Sequence, residues 1–128
     1  MFNDKITNTK GKYNLEERTA KFGEEIIIFA NSIPKNEVTK PIIVQLVKSG
    51  TSVGANYCEA DDAESRKDFK HKIGIAKKEA RETKHWLRMT AIACPDKKDG
   101  ARKLWQETKE LHLIFNAIVN STKRNENK

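Results

Sequence analysis

The sequence predicts an all-α protein folded as an antiparallel, up-down-up-down four-helix bundle. Three observations carry that expectation: four segments with apolar residues spaced three and four apart, short polar connections between them, and a composition of 34% charged residues with only 6 Gly and 3 Pro in 128. Strands and their turns ask for more β-branched residues and more glycine. Connections this short force successive helices to run in opposite directions. A chain of this length buries a core without disulfides or a metal, so one domain is expected.

In the first segment, Leu15, Thr19, Phe22, Ile26, Phe29 and Ile33 fall on one side of a helix. Asn14, with Glu17 three residues on, forms a capping-box-like start that satisfies free first-turn amides, and Pro34 closes the segment. The second opens near Thr39. Pro41 is tolerated there because first-turn amides have no intrahelical acceptor to lose. Its stripe reads Ile43, Leu46, Gly50, Val53, Tyr57 and Ala60. Gly50 and Gly54 inside a helix cost about 1 kcal/mol each relative to alanine, which points to a neighbouring helix in close approach.

Ser65 and Asp68 cap the third segment, and Phe69, Ile73, Ala76, Ala80, Thr83, Leu87, Thr90 and Cys94 follow at regular four-three spacing. Pro95, Asp96 and Gly100 read as a connection, after which Leu104, Thr108, Leu111, Phe115 and Ile118 mark the fourth helix. The expected organisation is a polar, flexible segment over 1–13, the bundle over 14–120 and a frayed polar tail over 121–128. Cys58 and Cys94 sit within helical patterns, so both are read as packing thiols.

No stretch approaches the roughly 18 to 20 uncharged apolar residues of a membrane span, and the N-terminus is polar and unlike a signal peptide. A cytoplasmic protein without a membrane partner is expected. The net charge of +7 is unevenly spread: residues 1–64 carry −2, residues 65–94 carry +6 and residues 95–128 carry +3. Such asymmetry suits an acidic partner, nucleic acid foremost.

Most of that excess lies on the third helix. Lys67, Lys70, His71, Gly74, Lys77, Lys78, Arg81, Lys84, His85 and Arg88 sort to its outward side, with no carboxylate among them. A merely solvated face would also carry lysines. Like charges three and four apart repel by a few tenths of a kcal/mol, however, and stability alone would have mixed the signs. Lys67, Lys70, Lys77, Lys78, Arg81, Lys84 and Arg88 are therefore candidate phosphate contacts. A second stripe with apolar content, Ile75, Trp86 and Met89 among its members, and the surplus apolar residues Ile27, Ile28, Ile42, Val44 and Val47 suit self-association; wide core faces would use them equally.

Catalysis and metal binding find little support. Glu82 and His85 reproduce the Glu-x-x-His of di-iron bundles, but His112 follows Lys109 at the corresponding spacing, so the second pair is absent. Neither a glycine-rich phosphate loop, nor a nucleophile elbow, nor a Cys-His cluster occurs. The expectation is a non-enzyme without cofactor or metal.

The run Ser49-Gly-Thr-Ser-Val-Gly-Ala-Asn-Tyr-Cys-Glu59, then Lys67-Asp-Phe69, then Ala76, Ala80, Glu82 and Trp86-Leu87 resembles the four-helix-bundle proteins encoded within intervening sequences of bacterial 23S ribosomal RNA genes. The resemblance spans about residues 14 to 120. It implies a bundle that assembles as a ring, commonly a pentamer. It also implies kinship with the accessory variability proteins of diversity-generating retroelements, which bind nucleic acid and a reverse transcriptase. Asn56, Glu59 and Glu82 match motif positions of that family, where they look like packing and helix-pairing residues. With Ile75, Trp86 and Met89 they form the candidate oligomer-interface or helix-pairing set. The leading expectation is a homo-oligomeric nucleic-acid-binding protein, RNA before DNA with ribosomal RNA among the candidates, and a scaffold for an acidic protein or a reverse transcriptase is the alternative.

Overall fold

A computed structural model describes residues 14–126, with side chains through Lys123; segment 1–13 and the last two residues of the expected tail lie outside the described residues. Four α-helices, and no strand among the described residues, make up the protein: α1 (Leu15–Asn31), α2 (Thr39–Asp61), α3 (Arg66–Ala93) and α4 (Lys98–Glu126). A 3-10 turn, Pro95–Lys97, joins α3 to α4. This is the all-helical class that the periodicity predicts, and it is consistent with a four-helix bundle. No helix among the described residues is long and apolar enough to cross a membrane.

The helix starts follow local chemistry. Asn14 Oδ1 accepts from the Glu17 amide at 3.1 Å, and Ser65 Oγ accepts from the Asp68 amide at 3.0 Å. α2 starts differently: Asn36 Oδ1 accepts from the amides of Val38 and Thr39, both at 2.9 Å, while Thr39 donates to the Pro34 carbonyl at 2.7 Å. That turn satisfies first-turn amides that an N-cap side chain would otherwise serve.

The core is the predicted stripes brought together. Phe22, Ile26, Leu46, Val53, Ile73, Ala76, Ala80, Leu87, Leu111 and Phe115 are almost wholly excluded from solvent. Threonines share this core because each closes its own hydroxyl onto a carbonyl four residues back: Thr19 to Leu15 (2.7 Å), Thr83 to Glu79 (2.7 Å), Thr90 to Trp86 (2.8 Å) and Thr108 to Leu104 (2.6 Å). A buried hydroxyl satisfied in this way avoids the desolvation penalty of an orphaned donor.

The glycines of α2 mark the close approach that their cost predicts. A Cβ at Gly50 would lie 2.8 Å from Ile26 Cγ2, and one at Gly54 would lie 3.2 Å from the Thr19 carbonyl oxygen. Gly100 belongs to the first turn of α4 instead of the preceding connection, and the ring of Phe29 fills the space of its missing side chain, 2.8 Å from an ideal Cβ. α4 also continues past residue 120 to Glu126. Polar composition there suggests a tail, but Thr122 donates to the Ile118 carbonyl at 2.9 Å, and Ile118 and Val119 still pack against the core.

Candidate nucleic-acid interface

Ion pairs tie α1 to α4 and α2 to α3. Arg18 of α1 reaches Glu107 through Nε (2.8 Å) and Nη2 (2.9 Å) and Glu110 through Nη2 (2.9 Å). The Glu107 hydrogen bonds, opposed by partial burial, raise the Arg18 pKa beyond its ordinary value. Lys72 of α3 pairs with Glu59 of α2 at 2.6 Å, and the same hydrogen bond raises the lysine pKa. Beside the Arg18 pair runs an open groove of about 1060 Å³ between α1 and α4. It mixes Arg102 and Lys103 with Glu25 and Asp99, so its charge favours neither sign of ligand.

The seam between α3 and α4 is different. Lys84 Nζ stands 5.5 Å from the centroid of the Trp105 ring, and Lys109 Nζ of α4 stands 5.9 Å from the same ring. His112 lies one helical step beyond, on the same side of α4. Its pKa is lowered first by partial burial and then by the charges of Lys84, Lys77 and Arg81 of α3. Among the described residues, Lys77, Arg81, Lys84 and Arg88 form no ion pair. Of the carboxylates of α3, Glu82 accepts from Trp86 Nε1 at 3.2 Å, Asp68 acts on Lys72, and Glu79 feels Lys78 of its own helix and Lys48 of α2. Burial and the neighbouring Glu82 push the Glu79 carboxyl up.

The seven candidate cations are thus not equivalent. Lys67, Lys78, Arg81 and Arg88 are exposed, whereas Lys70, Lys77 and Lys84 are half-buried. Lys84 reaches the Trp105 ring of α4, the charge of Lys77 acts on His112, and Lys78 opposes the upward shift at Glu79. Trp105, Lys109 and His112 join the candidate site only once α3 and α4 are packed together. Their spacing of four and three on α4 places them on one side beside the core stripe, a signal the sequence does contain.

The candidate interface residues divide as well. Asn56 donates to the Ser52 carbonyl of its own helix at 2.9 Å, Glu59 holds Lys72, and Glu82 holds Trp86. Ile75 and Met89 are half-buried, and Trp86 packs partly against the core with the His85 ring edge-on at 4.8 Å. Of the surplus apolar residues, Ile42 and Val47 are half-buried, while Ile28 and Val44 remain 69% and 61% exposed, enough to leave an apolar surface on α1 and α2. Cys58 is exposed instead of packed, because it falls on the outer side of α2, and Cys94 is half-buried; both are free thiols. Among the described residues, no group of three or more His, Cys, Asp or Glu could hold a metal ion.

A family model described as 23S rRNA-intervening sequence protein matches residues 12–117. Among solved structures, the chain is similar to a protein of unknown function from the S23 ribosomal protein family of Bacteroides thetaiotaomicron. The two are 28% identical with a TM-score of 0.72, over 82% of this chain and 97% of that one. No curated protein matches the sequence.

Proposed function

The chain belongs to the 23S rRNA-intervening sequence protein family, and from that premise we propose that it is a non-enzymatic, homo-oligomeric nucleic-acid-binding protein. It contacts RNA phosphates through the basic side of α3. One observation carries this proposal: Lys77, Arg81, Lys84 and Arg88 stand on one side of a helix without a carboxylate partner among the described residues, and Lys109 extends the same charge onto α4. Uncompensated like charge repels itself, and phosphate is the ligand class that relieves it at regular spacing. Contacts of this kind give affinity that depends strongly on salt and only weakly on sequence.

The proposed bundle is antiparallel. Support lies in the register: Thr19 and Ile26 of α1 face Gly54 and Gly50 of α2 in reverse order, and Lys72 and Thr83 of α3 meet Glu59 and Ser49 of α2 in the same reversed sense. Self-association, with a ring of five as the form the family resemblance implies, is supported by the exposed Ile28 and Val44. Kinship with retroelement accessory proteins and a cytoplasmic location belong to the same proposal.

A filter-binding titration of RNA tests it. Lys77→Glu, Arg81→Glu and Lys84→Glu together are expected to abolish retention at low salt. Retention equal to that of the wild type overturns the proposal, and so does weak binding by the wild type at low salt. Light scattering coupled to gel filtration reads the subunit number, and a monomer contradicts the self-association.

A further inference from the structure

We propose that Trp105 makes the α3–α4 seam a site for single-stranded nucleic acid, by stacking an unpaired base between the cations that hold the flanking phosphates. This rests on the phosphate-binding proposal above and adds a ligand class to it. The chain carries two tryptophans, and the structure treats them differently. Trp86 is engaged within its own helix, its indole N–H donating to Glu82 and its ring met edge-on by His85. Trp105 has two ammonium groups near its ring, Lys84 of α3 at 5.5 Å and Lys109 of α4 at 5.9 Å, and it is only partly buried against the core.

Two lysines at this distance from one ring form weak cation–π contacts, and each side chain is long enough to leave the ring for a phosphate oxygen. The exchange draws the cations to the backbone and frees the ring for a base. Every base has a π-face, so an aromatic platform in a basic groove captures single strands with little sequence preference. Duplexed bases are stacked on their neighbours and cannot lie on the ring, so a duplex gains only the phosphate contacts. Charge complementarity supports the same occupant. Lys84 and Lys109 stand at the ring, and the charges of Lys77 and Arg81 act with that of Lys84 on His112 of α4.

The test uses the full chain and two labelled probes, a short oligouridine strand and an oligoadenine–oligouridine duplex of equal length, read by fluorescence anisotropy. Trp105→Leu is expected to weaken single-strand binding about tenfold while leaving duplex binding and the salt dependence unchanged. Trp105→Phe keeps a stacking face and is expected to restore most of the loss. In a Trp86→Phe background, where Trp105 is the remaining tryptophan, oligouridine is expected to quench the indole emission. Equal weakening of both probes by Trp105→Leu overturns the stacking role, as do unchanged binding of both, a wild-type preference for the duplex and an unquenched indole. Salt-dependent binding in those cases leaves phosphate recognition standing; a wild type that binds neither probe removes both proposals.

Discussion

Replacing Gly50 with alanine tests whether α1 and α2 are as closely fitted as their glycines indicate. The new Cβ would lie 2.8 Å from Ile26 Cγ2, 2.9 Å from Cγ1 and 3.2 Å from Cβ. All three atoms sit at the branch of the side chain, so Ile26 yields only by rotating about its first torsion, and Ile26 is 0% exposed. Forcing one methyl into a packed core costs about 1 to 3 kcal/mol. Alanine returns about 1 kcal/mol of helix propensity, so the net expectation is a loss of about 1 kcal/mol. Gly74 of α3 is the matched control, because nothing stands within 4 Å of its Cβ position. Gly74→Ala keeps the propensity gain without the clash and is expected to stabilise by about 1 kcal/mol. The difference between the two variants isolates the steric cost, about 2 kcal/mol. Urea unfolding followed by far-ultraviolet circular dichroism measures both, and thermal midpoints should move by about 3 to 5 °C per kcal/mol in opposite directions. A Gly50→Ala protein as stable as Gly74→Ala would refute the close approach.

Other perturbations read individual groups. Arg18→Ala should lower stability by about 1 kcal/mol, less at high salt, since its forked contacts to Glu107 and Glu110 are only partly shielded from water; urea titrations at two salt concentrations check it, and equal losses at both would exclude an electrostatic origin. His112 has a folded pKa below its ordinary 6.5, so the unfolded chain binds the proton more readily. Stability should therefore fall as pH drops through that value and level off below the folded pKa. His112→Gln is expected to remove this part of the profile, measured by unfolding between about pH 7.5 and about pH 5. Glu79 has the opposite shift, its folded pKa above the ordinary 4.5, so its ionised form destabilises the native state. Glu79→Gln should be more stable than the wild type at neutral pH, and that advantage should disappear as pH falls below the ordinary carboxylate range.

The helices were legible because each buries one stripe with caps at its ends. Leu15, Phe22, Ile26 and Ile33 of α1 are buried as their spacing requires, and Asn14 and Ser65 cap as their side chains allow. Boundaries were less legible where tertiary contact overrides composition. Gly100 reads as a turn residue until Phe29 is seen against it, and the polar end of α4 is held by Thr122 and Val119. The candidate site was legible on α3, where the cations of one helix share a side by arithmetic. Its other half was not. Trp105 and Lys109 become part of it only once α3 and α4 are aligned so that Lys84 meets the indole ring. The separation of Lys72 from the other cations likewise depends on Glu59, a residue of a different helix.

The most direct measurement is the salt dependence of RNA binding by the full chain, compared with a chain in which Lys77, Arg81 and Lys84 are all changed to glutamine. Log affinity should fall linearly with log salt concentration for both proteins, and the magnitude of the slope should be smaller by about 2 in the triple variant, as expected for three lost phosphate contacts on a single strand. Identical slopes for the two proteins would contradict phosphate recognition by this side of α3.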